Sequence, residues 1–363
     1  MKMPFRINSY PVMVIYLITL LSCAKTETVK ETPTISVAWE EAEAEVYGYT
    51  EDELNEILEF VIDSSNTTGV LVVIDGKAVL EYGDIDELSY LASCRKSILA
   101  MLYGKYVENG TIDLSTTLEE IGLDDHGGLM DIEKNATIDH LITARSGIYH
   151  AASNSGDNSA DAPERGSQTP GEYFLYNNWD FNMAGYVFEH LTGIDIYDAL
   201  QNDLAIPLGM QDFDREAQRK SGNLETSKYP AYHIWLSTRD MAKIGQLMLN
   251  NGKWGDKQII SEAWVNKITS IVTPLEEMNP PRLRDRNFGY GYMWWIWDGP
   301  NVPEVYKGAY SAKGAWGQYI TVIPSLSMVV VHKTKSEYRR RTGWGTYKKI
   351  LDRIVEYYGS EAV

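Results

Sequence analysis

The sequence predicts an α+β fold with two lobes. Strand patterns occur in two groups, one near each end of the chain, and helical patterns dominate the residues between them. The predicted strands are residues 69–74, 77–82, 305–312, 317–323 and 328–332. Because a sheet built from both ends leaves the helical middle outside it, we expect one antiparallel sheet and a second, helical lobe.

The first group of strands follows a helix and forms a hairpin. Apolar residues including Leu54, Ile57 and Val61 recur at helical spacing and predict a helix from Asp52 to Ile62. Asp75-Gly76 then separates the first two strands, and this pair suits the positive φ angles of a type I′ turn. The folded part of the chain is therefore expected to begin with a helix followed by two paired strands.

Further helices follow from apolar periodicity and from their end signals. Residues Ser93 to Glu108 form one predicted helix, and Asn109-Gly110 ends it because glycine readily adopts the left-handed conformation at a helix C-terminus. The other predicted helices are residues 137–143, 179–191, 238–249 and 347–358. The last of them follows the final strand and closes the chain.

Composition and charge exclude one broad class of function. Hydrophobic residues make up 44% of the 363 residues and charged residues 23%, which is ordinary for a folded protein. The formal net charge is −18 and Lys and Arg form no cluster, so nucleic acid is not an expected partner. The six histidines show no metal-binding spacing, so neither a metal nor another cofactor is expected.

The N-terminal residues resemble a bacterial lipoprotein signal. Lys2 and Arg6 precede an apolar run from Pro11 to Leu21, which has the length of a signal-peptide core rather than of a membrane-spanning helix. Ser22-Cys23 ends this run, and in lipoprotein signals such a cysteine becomes the lipidated first residue of the mature chain. An ordinary cleaved signal and a single anchor helix are the alternatives.

These N-terminal features predict the domain boundaries and the location of the protein. Residues 1–22 are the expected signal peptide, residues 23–45 a flexible tether, and residues 46–363 one folded domain. Ala24 follows the cysteine where an Asp would indicate retention in the inner membrane. We therefore expect a protein of the bacterial cell envelope that is anchored, preferentially in the outer membrane, by lipid on Cys23.

Ser93 and Lys96 are the first candidate catalytic residues. Ser93 lies at the start of a predicted helix, where the helix dipole favours developing negative charge. Lys96 is one turn further along the same face, so its amine can reach the serine oxygen. A lysine accepts a proton only where burial or a neighbouring cation lowers its pKa, and the apolar residues 98–102 predict such burial. A serine and a lysine at this spacing also occur often by chance.

Two further segments carry chemistry of the same kind. Tyr176 and Asn178 lie where a loop enters the predicted helix 179–191, and a tyrosine beside a lysine can share its proton while an asparagine orients both. Residues 314–318 (Gly-Ala-Trp-Gly-Gln) lie between two predicted strands, where glycines let a strand backbone approach a ligand closely. A backbone N–H there can complete an oxyanion hole with the N–H of Ser93.

The order, spacing and connecting segments resemble the serine β-lactamase and penicillin-binding-protein superfamily, in particular its class C, esterase and 6-aminohexanoate-dimer-hydrolase branch. Besides the three motifs, the similar segments are residues 136–142, 146–148, 191–193, 207–210 and 237–240. The resemblance covers roughly residues 50 to 358. It implies a five-stranded antiparallel sheet flanked by helices, an all-helical lobe, and an active site in the cleft between them.

The resemblance also implies roles for individual residues. Ser93 is the expected nucleophile, Lys96 its activating partner, and Tyr176 the base that later protonates the leaving group. Asn178 is expected to orient the substrate or Lys96. The backbone N–H groups of Ser93 and Ala315 are the expected oxyanion hole, and the reaction would pass through an acyl-enzyme on Ser93.

The sequence departs from the family pattern at one position that bears on substrate. β-Lactamases and penicillin-binding proteins usually carry Lys-Thr-Gly on the strand facing the serine, whereas this chain has Ala312-Lys313-Gly314. Because a shift of one residue turns a strand side chain to the opposite face, Lys313 is expected to point to solvent rather than to bind a carboxylate. This pattern is closer to the esterases and the hydrolases of linear amides.

Several residues are candidate substrate contacts. Gly314, Trp316 and Gln318 belong to the third motif, Trp179 adjoins the second, and His150 begins a long polar segment that can cover the cleft. For the tryptophans core packing is the alternative, and for His150 a surface or capping role.

The leading prediction is a serine hydrolase of esters or linear amides. The alternatives are a β-lactamase or D-alanyl-D-alanine carboxypeptidase, and a non-catalytic envelope binding protein on the same fold.

Overall fold

The computed structural model describes residues 38–359, and its main feature is one large sheet. The strands are β1 Glu40–Glu41, β2 Gly69–Ile74, β3 Lys77–Gly83, β4 Ser89–Tyr90, β5 Arg219–Ser221, β6 Ala231–His233, β7 Trp235–Leu236, β8 Lys253–Trp254, β9 Lys257–Gln258, β10 Phe288–Tyr290, β11 Trp295–Trp297, β12 Tyr310–Gly314, β13 Gln318–Ile323 and β14 Met328–Lys333. The predicted signal peptide and Cys23 lie outside the described residues.

Ten α-helices of the described residues surround and extend this sheet. They are α1 Glu51–Ser64, α2 Cys94–Glu108, α3 Leu118–Ile121, α4 Asp131–Lys134, α5 Ile138–Ile142, α6 Asn178–Thr192, α7 Ile196–Ala199, α8 Thr238–Leu249, α9 Glu262–Ile268 and α10 Trp344–Tyr357. None of the helices within residues 38–359 is both long and apolar enough to cross a bilayer. The predicted α+β class is confirmed. The region between the two groups of strands is mainly helical but not all-helical as predicted, because it also contains the short two-stranded sheets β4-β7, β5-β6 and β8-β9.

The large sheet contains eight strands rather than the five that were predicted. Its strand order is β1-β3-β2-β14-β13-β12-β11-β10, and all neighbours are antiparallel except β1 and β3. The five predicted strands form its centre, while β1 extends one edge and β10 and β11 extend the other. These extra strands contain two or three residues each, which is too short for the alternating pattern that identifies a strand from sequence.

Two predicted boundaries differ from the structure. β12 begins at Tyr310 rather than at residue 305, because a 3₁₀ turn occupies Glu304–Tyr306 and Gly308 has a φ of 77°. In addition, β1 falls inside the predicted tether and pairs with β3, so regular structure begins before residue 46.

Both faces of the sheet are covered, and the arrangement places α2 at the centre of the molecule. Helices α1 and α10 pack together over one face, and α8 packs across β2, β13 and β14 on the other. Helix α2 contacts β12 and β13 on one side and the helical lobe, through α6, on the other. Almost all of its side chains are buried, including those of Arg95 and Lys96. The start of α2 therefore lies where the sheet meets the helical lobe.

Candidate active site

Ser93 lies at a tight turn that leads from β4 into α2. It is the N-cap residue of α2, and the preceding Ala92 has a φ of 48°, a left-handed conformation that is uncommon for a residue with a side chain. The turn is held by hydrogen bonds from the Leu91 N–H to the Ile234 carbonyl (2.9 Å) and from the Cys94 N–H to the Leu91 carbonyl (3.2 Å). Strain of this kind is retained where the surrounding structure fixes a functional geometry.

The amine of Lys96 connects three of the predicted catalytic residues. Its Nζ lies 3.2 Å from Ser93 Oγ, 2.6 Å from Tyr176 Oη and 2.7 Å from Asn178 Oδ1. It also lies over the ring of Phe181, 4.3 Å from the ring centre. The structure therefore brings together the four side chains that the sequence analysis selected, although they come from three separate parts of the chain.

The electrostatic surroundings of this amine are unusual. Burial, followed by the positive charge of Arg95, lowers the pKa of Lys96 well below its ordinary value. Burial also raises the pKa of Tyr176, while its hydrogen bond with Ser93 acts in the opposite direction. Both effects favour a neutral amine beside a neutral phenol. A neutral amine at hydrogen-bond distance from a serine hydroxyl can accept its proton.

The orientation of Asn178 is fixed by its own hydrogen bonds. Its Nδ2 donates to the Ser155 carbonyl (3.0 Å), which leaves Oδ1 directed at Lys96, and its backbone N–H donates to Asp157 Oδ2 (2.8 Å). Asn177 caps the start of α6 by accepting a hydrogen bond from the Trp179 N–H (2.9 Å). The loop before α6 thus determines which atom of the Asn178 amide the lysine contacts.

The turn between β12 and β13 packs directly on the segment that precedes the serine. A Cβ atom on Gly314 would lie 2.5 Å from the Leu91 carbonyl oxygen, so only glycine fits this approach. Within residues 38–359, neither the Ser93 N–H nor the Ala315 N–H donates a hydrogen bond to another protein group. The contact between Gly314 and Leu91 thus brings together two segments in which the N–H groups of Ser93 and Ala315 have no acceptor among the described residues.

A buried histidine supports this turn from the opposite side. His332 Nδ1 contacts the Gly317 carbonyl (2.9 Å), and its Nε2 contacts Thr67 Oγ1 (2.7 Å). Burial lowers the pKa of His332 to about 4, so the ring is neutral at pH 7 and donates through Nδ1 while Nε2 accepts from the threonine. Sequence reasoning did not identify His332, because it lies within an apolar strand pattern.

We expect Gly314→Ala to impair both activity and stability, because its Cβ would force β12 and the Leu91 segment apart. Hydrolysis by the variant should fall by about 10- to 100-fold, and its free energy of unfolding by about 1–3 kcal/mol. Gly343→Ala is the matched control, since a Cβ there meets no atom within 4 Å. Wild-type activity in Gly314→Ala, measured beside thermal unfolding, would contradict this account of the turn.

Three predicted substrate contacts are corrected by the structure. Trp179 is fully buried, and its indole N–H donates to Asp125 Oδ2 (2.7 Å) within the helical lobe. His150 is 8% exposed, and its two ring nitrogens contact the carbonyls of Ala151 (3.0 Å) and His126 (2.8 Å). In the sequence, Trp179 adjoins a motif and His150 begins a polar segment, but the sequence does not show the buried polar groups to which their side chains bond.

Gln318 is the third correction. It is fully buried, and its side-chain amide pairs with the backbone of Thr334, donating to the carbonyl (2.9 Å) and accepting from the N–H (3.3 Å). It therefore joins the ends of β13 and β14 rather than contacting a substrate. In contrast, Trp316 is 49% exposed at the tip of the turn and stays a candidate substrate contact.

The structure confirms the predicted strand face of Lys313 but not its predicted exposure to solvent. Its side chain does point away from the face of β12 that carries Ala312 and packs against α2, as the strand register predicted. It does not extend into solvent, however, because its Nζ lies 3.9 Å from the ring centre of Phe288 and 4.1 Å from that of Trp344. These rings pack around the amine, and burial, followed by the positive charge of Arg286, lowers the pKa of Lys313 well below its ordinary value.

Comparison with known proteins identifies the family. The sequence model of the family described as Beta-lactamase matches residues 62–350, most of the chain. The chain belongs to the beta-lactamase family. Among curated proteins, this family member is 25% identical over 166 residues to monacolin J acid methylbutanoyltransferase from Aspergillus terreus. That match covers 38% of this chain and 40% of the length of the transferase.

Solved structures share the fold of this beta-lactamase family member over most of its length. A protein from Bacillus anthracis assigned as a 6-aminohexanoate-dimer hydrolase is 18% identical, with a TM-score of 0.64, covering 91% of this chain and 89% of its own. EstCE1, described as a hydrolase with promiscuous acyltransferase activity, is 14% identical (TM-score 0.60; 84% and 97% covered). A penicillin-binding protein from Bacillus halodurans is 16% identical (TM-score 0.59; 83% and 99% covered).

Proposed function

We propose that this protein is a serine hydrolase that cleaves carboxylic esters or linear amides through an acyl-enzyme on Ser93. The observation that carries the proposal is the contact of a single buried amine, Lys96 Nζ, with Ser93 Oγ, Tyr176 Oη and Asn178 Oδ1. All three partners are neutral oxygens, and no carboxylate forms a salt bridge with Lys96 within the described residues. An amine in these surroundings is suited to accept a proton rather than to form a structural ion pair.

In the proposed first half-reaction, neutral Lys96 takes the proton of Ser93 as the serine oxygen attacks the substrate carbonyl carbon. The N–H groups of Ser93 and Ala315 stabilise the resulting oxyanion. When the tetrahedral intermediate collapses, the Tyr176 hydroxyl protonates the leaving alcohol or amine and is reprotonated by Lys96, its partner at 2.6 Å. The carbon–oxygen or carbon–nitrogen bond of the substrate breaks, and the acyl group stays on Ser93.

In the second half-reaction, water takes the place of the leaving group. The Tyr176–Lys96 pair removes a proton from the water as it attacks the acyl carbon, and the same proton then returns to the Ser93 oxygen. The pair exchanges one proton throughout, so its two groups are expected to titrate together in a pH profile. No other group is needed to balance the reaction.

The surroundings of Lys313 support esters or linear amides over penicillins. A β-lactam or a D-alanyl-D-alanine peptide carries a carboxylate that a cation in the cleft would bind. The amine of Lys313 instead lies against Phe288 and Trp344, on the side of β12 away from α2. Exposed Trp316 at the tip of the turn offers an apolar surface suited to an acyl chain or an aryl group.

Acyl transfer to an alcohol is a second candidate activity. It is favoured by the names of two similar proteins, a methylbutanoyltransferase and a hydrolase with promiscuous acyltransferase activity. The chemistry differs only in which nucleophile attacks the acyl-enzyme.

A substrate panel tests these alternatives. The purified protein is assayed with p-nitrophenyl esters of several chain lengths, a linear amide, nitrocefin and a D-alanyl-D-alanine peptide, with and without an added alcohol. We expect ester or amide hydrolysis to exceed nitrocefin hydrolysis by at least about 100-fold in kcat/KM. Faster nitrocefin or peptide cleavage would reverse the substrate assignment, and ester products formed with the alcohol would favour acyl transfer. A fluorophosphonate probe that labels no residue would favour a binding protein.

A further inference from the structure

Arg95, which lies between Ser93 and Lys96 in the sequence, is a buried cation without a counter-ion. Its side chain is 2% exposed, and within residues 38–359 no carboxylate forms a salt bridge with it. Arginine stays protonated in proteins, so the charge cannot be lost by titration. Burying an unpaired charge is costly. This one reaches α6 at Asn182, the residue after Phe181, and Lys96 Nζ lies 4.3 Å from the centre of the Phe181 ring.

The groups that hold Arg95 are neutral and leave its charge intact. Nη2 donates to Asn182 Oδ1 (3.0 Å), and the guanidinium lies over the ring of Tyr232, with Cζ 4.2 Å from the ring centre. Nη1 has no hydrogen-bond partner among the described residues. An amide oxygen and an aromatic face stabilise the guanidinium in position, whereas a carboxylate in either place would have cancelled its field.

Several titratable groups interact electrostatically with Arg95 or Lys96. From other elements these groups are Tyr90, Asp157, Tyr176, Tyr197, Tyr232 and His233, and from α2 itself Cys94. Burial raises the pKa of the tyrosines and of Cys94, and burial followed by Arg95 lowers the pKa of His233 to about 4. Among the groups that act on Lys96, Asp157 is the carboxylate, and it raises the pKa of the lysine while Arg95 lowers it.

We propose that Arg95 is a positioning residue that keeps Lys96 neutral, and so able to take the proton of Ser93, by holding an uncancelled positive charge beside it. The inference rests on the proposed function, since it assigns a role to Arg95 only through Lys96. Asn182 and Tyr232 are neutral, so they fix the position of the guanidinium without adding a negative charge beside it. The negative charge of Asp157 acts in the opposite direction, because it raises the pKa of Lys96.

The test measures the pH dependence of the rate at which a fluorophosphonate modifies Ser93, together with kcat/KM for a p-nitrophenyl ester. Both rates require a neutral base and fall at low pH as Lys96 gains a proton. This fall is the acidic limb of the pH profile. Arg95→Met removes the charge and is expected to move this acidic limb to higher pH by about one unit or more. Arg95→Lys keeps a charge and should restore the limb towards its wild-type position.

Asn182→Asp provides the same test without removing the arginine. It replaces the amide with a carboxylate of the same shape against Nη2, so the limb should again move to higher pH even if Arg95→Met fails to fold. Asp157→Asn removes the opposing negative charge and should move the limb to lower pH. Tyr232→Phe keeps the ring beneath the guanidinium and is the control in which the limb should not move.

The outcomes separate the two proposals. The role of Arg95 is overturned if the wild type is active and labelled on Ser93 but the acidic limb keeps its wild-type position in both Arg95→Met and Asn182→Asp. The proposed function would then still stand. A loss of rate by the same factor at every pH in these variants would likewise show that Arg95 has only a structural role. Wild-type protein in which Ser93 is not labelled at any pH would overturn the proposed function, and the inference with it.

Discussion

Replacing Ser93 by alanine is expected to lower kcat/KM for ester or amide hydrolysis by about 10⁴-fold. The variant lacks the oxygen that forms the acyl-enzyme, while Lys96, Tyr176 and the backbone donors stay in place. Mass spectrometry of protein treated with a fluorophosphonate should find the adduct on Ser93 in the wild type and on no residue of the variant. The fold should be kept, because Ser93 is a half-buried N-cap residue whose side chain caps no helix N–H.

Ser97→Ala is the matched control for this substitution. Ser97 lies one turn further along α2, and its hydroxyl donates to the Met293 carbonyl (2.7 Å) rather than to Lys96. It should lose about 1 kcal/mol of stability and keep activity within a factor of a few. Hydrolysis that persists undiminished in Ser93→Ala would refute the assignment of the nucleophile.

Lys96→Met is expected to abolish turnover without destabilising the protein. The loss in kcat/KM should reach about 10³- to 10⁴-fold, because Lys96 is the proposed acceptor of the Ser93 proton, and Tyr176, which also bonds to Ser93, is kept neutral by its raised pKa. Methionine has a similar length and removes a buried amine whose charged form is disfavoured by burial and by the charge of Arg95. We therefore expect the melting temperature at pH 6 to rise by about 2–4 °C, as is common when a functional group that strains the fold is removed.

The sign of this stability effect depends on pH. In the unfolded chain Lys96 is protonated below its ordinary pKa of 10.5, whereas in the folded chain the pKa is lowered, so folding releases a proton. The contribution of Lys96 to wild-type stability therefore rises with pH through the window below 10.5 and decreases as the pH is lowered. Lys96→Met lacks this group, and its advantage in melting temperature should grow towards lower pH.

Lys105→Met is the control for the loss of a lysine from α2. Lys105 is 58% exposed and pairs with Asp203 at the surface, so its removal should leave activity unchanged. The difference in melting temperature between Lys96→Met and wild type should grow as the pH is lowered. A difference that shrinks instead would contradict a neutral Lys96 amine.

The sequence alone predicted most of the central elements. Helix α8 has the predicted bounds, α2 begins one residue after Ser93, and β2 and β3 pair around Asp75-Gly76 as a hairpin. These elements have strong local signals, namely apolar periodicity, a turn that requires positive φ, and a glycine after a helix. Short edge strands carry no such signal, which explains why β1, β10 and β11 were not predicted.

The site residues that the sequence identified correctly are likewise those fixed by local structure. Ser93 and Lys96 were identifiable because both lie on one helix turn, where spacing fixes proximity. Trp179 and Gln318 were misassigned because adjacency to a motif does not reveal which way a side chain points or which buried group it bonds. The aromatic surroundings of Lys313 depend on Phe288 and Trp344, which come from distant segments.

By itself, the sequence determined the α+β class, the order of the elements, and which serine and lysine share a helix face. These properties follow from local periodicity and turn chemistry, which short-range sterics dictate. Only the tertiary structure decided that the Lys96 amine meets Tyr176 and Asn178, that no carboxylate of residues 38–359 forms a salt bridge with it, and that Arg95 is buried. Desolvation and the field of a neighbouring charge depend on which distant residues pack together, and packing sets the proton affinity of the amine.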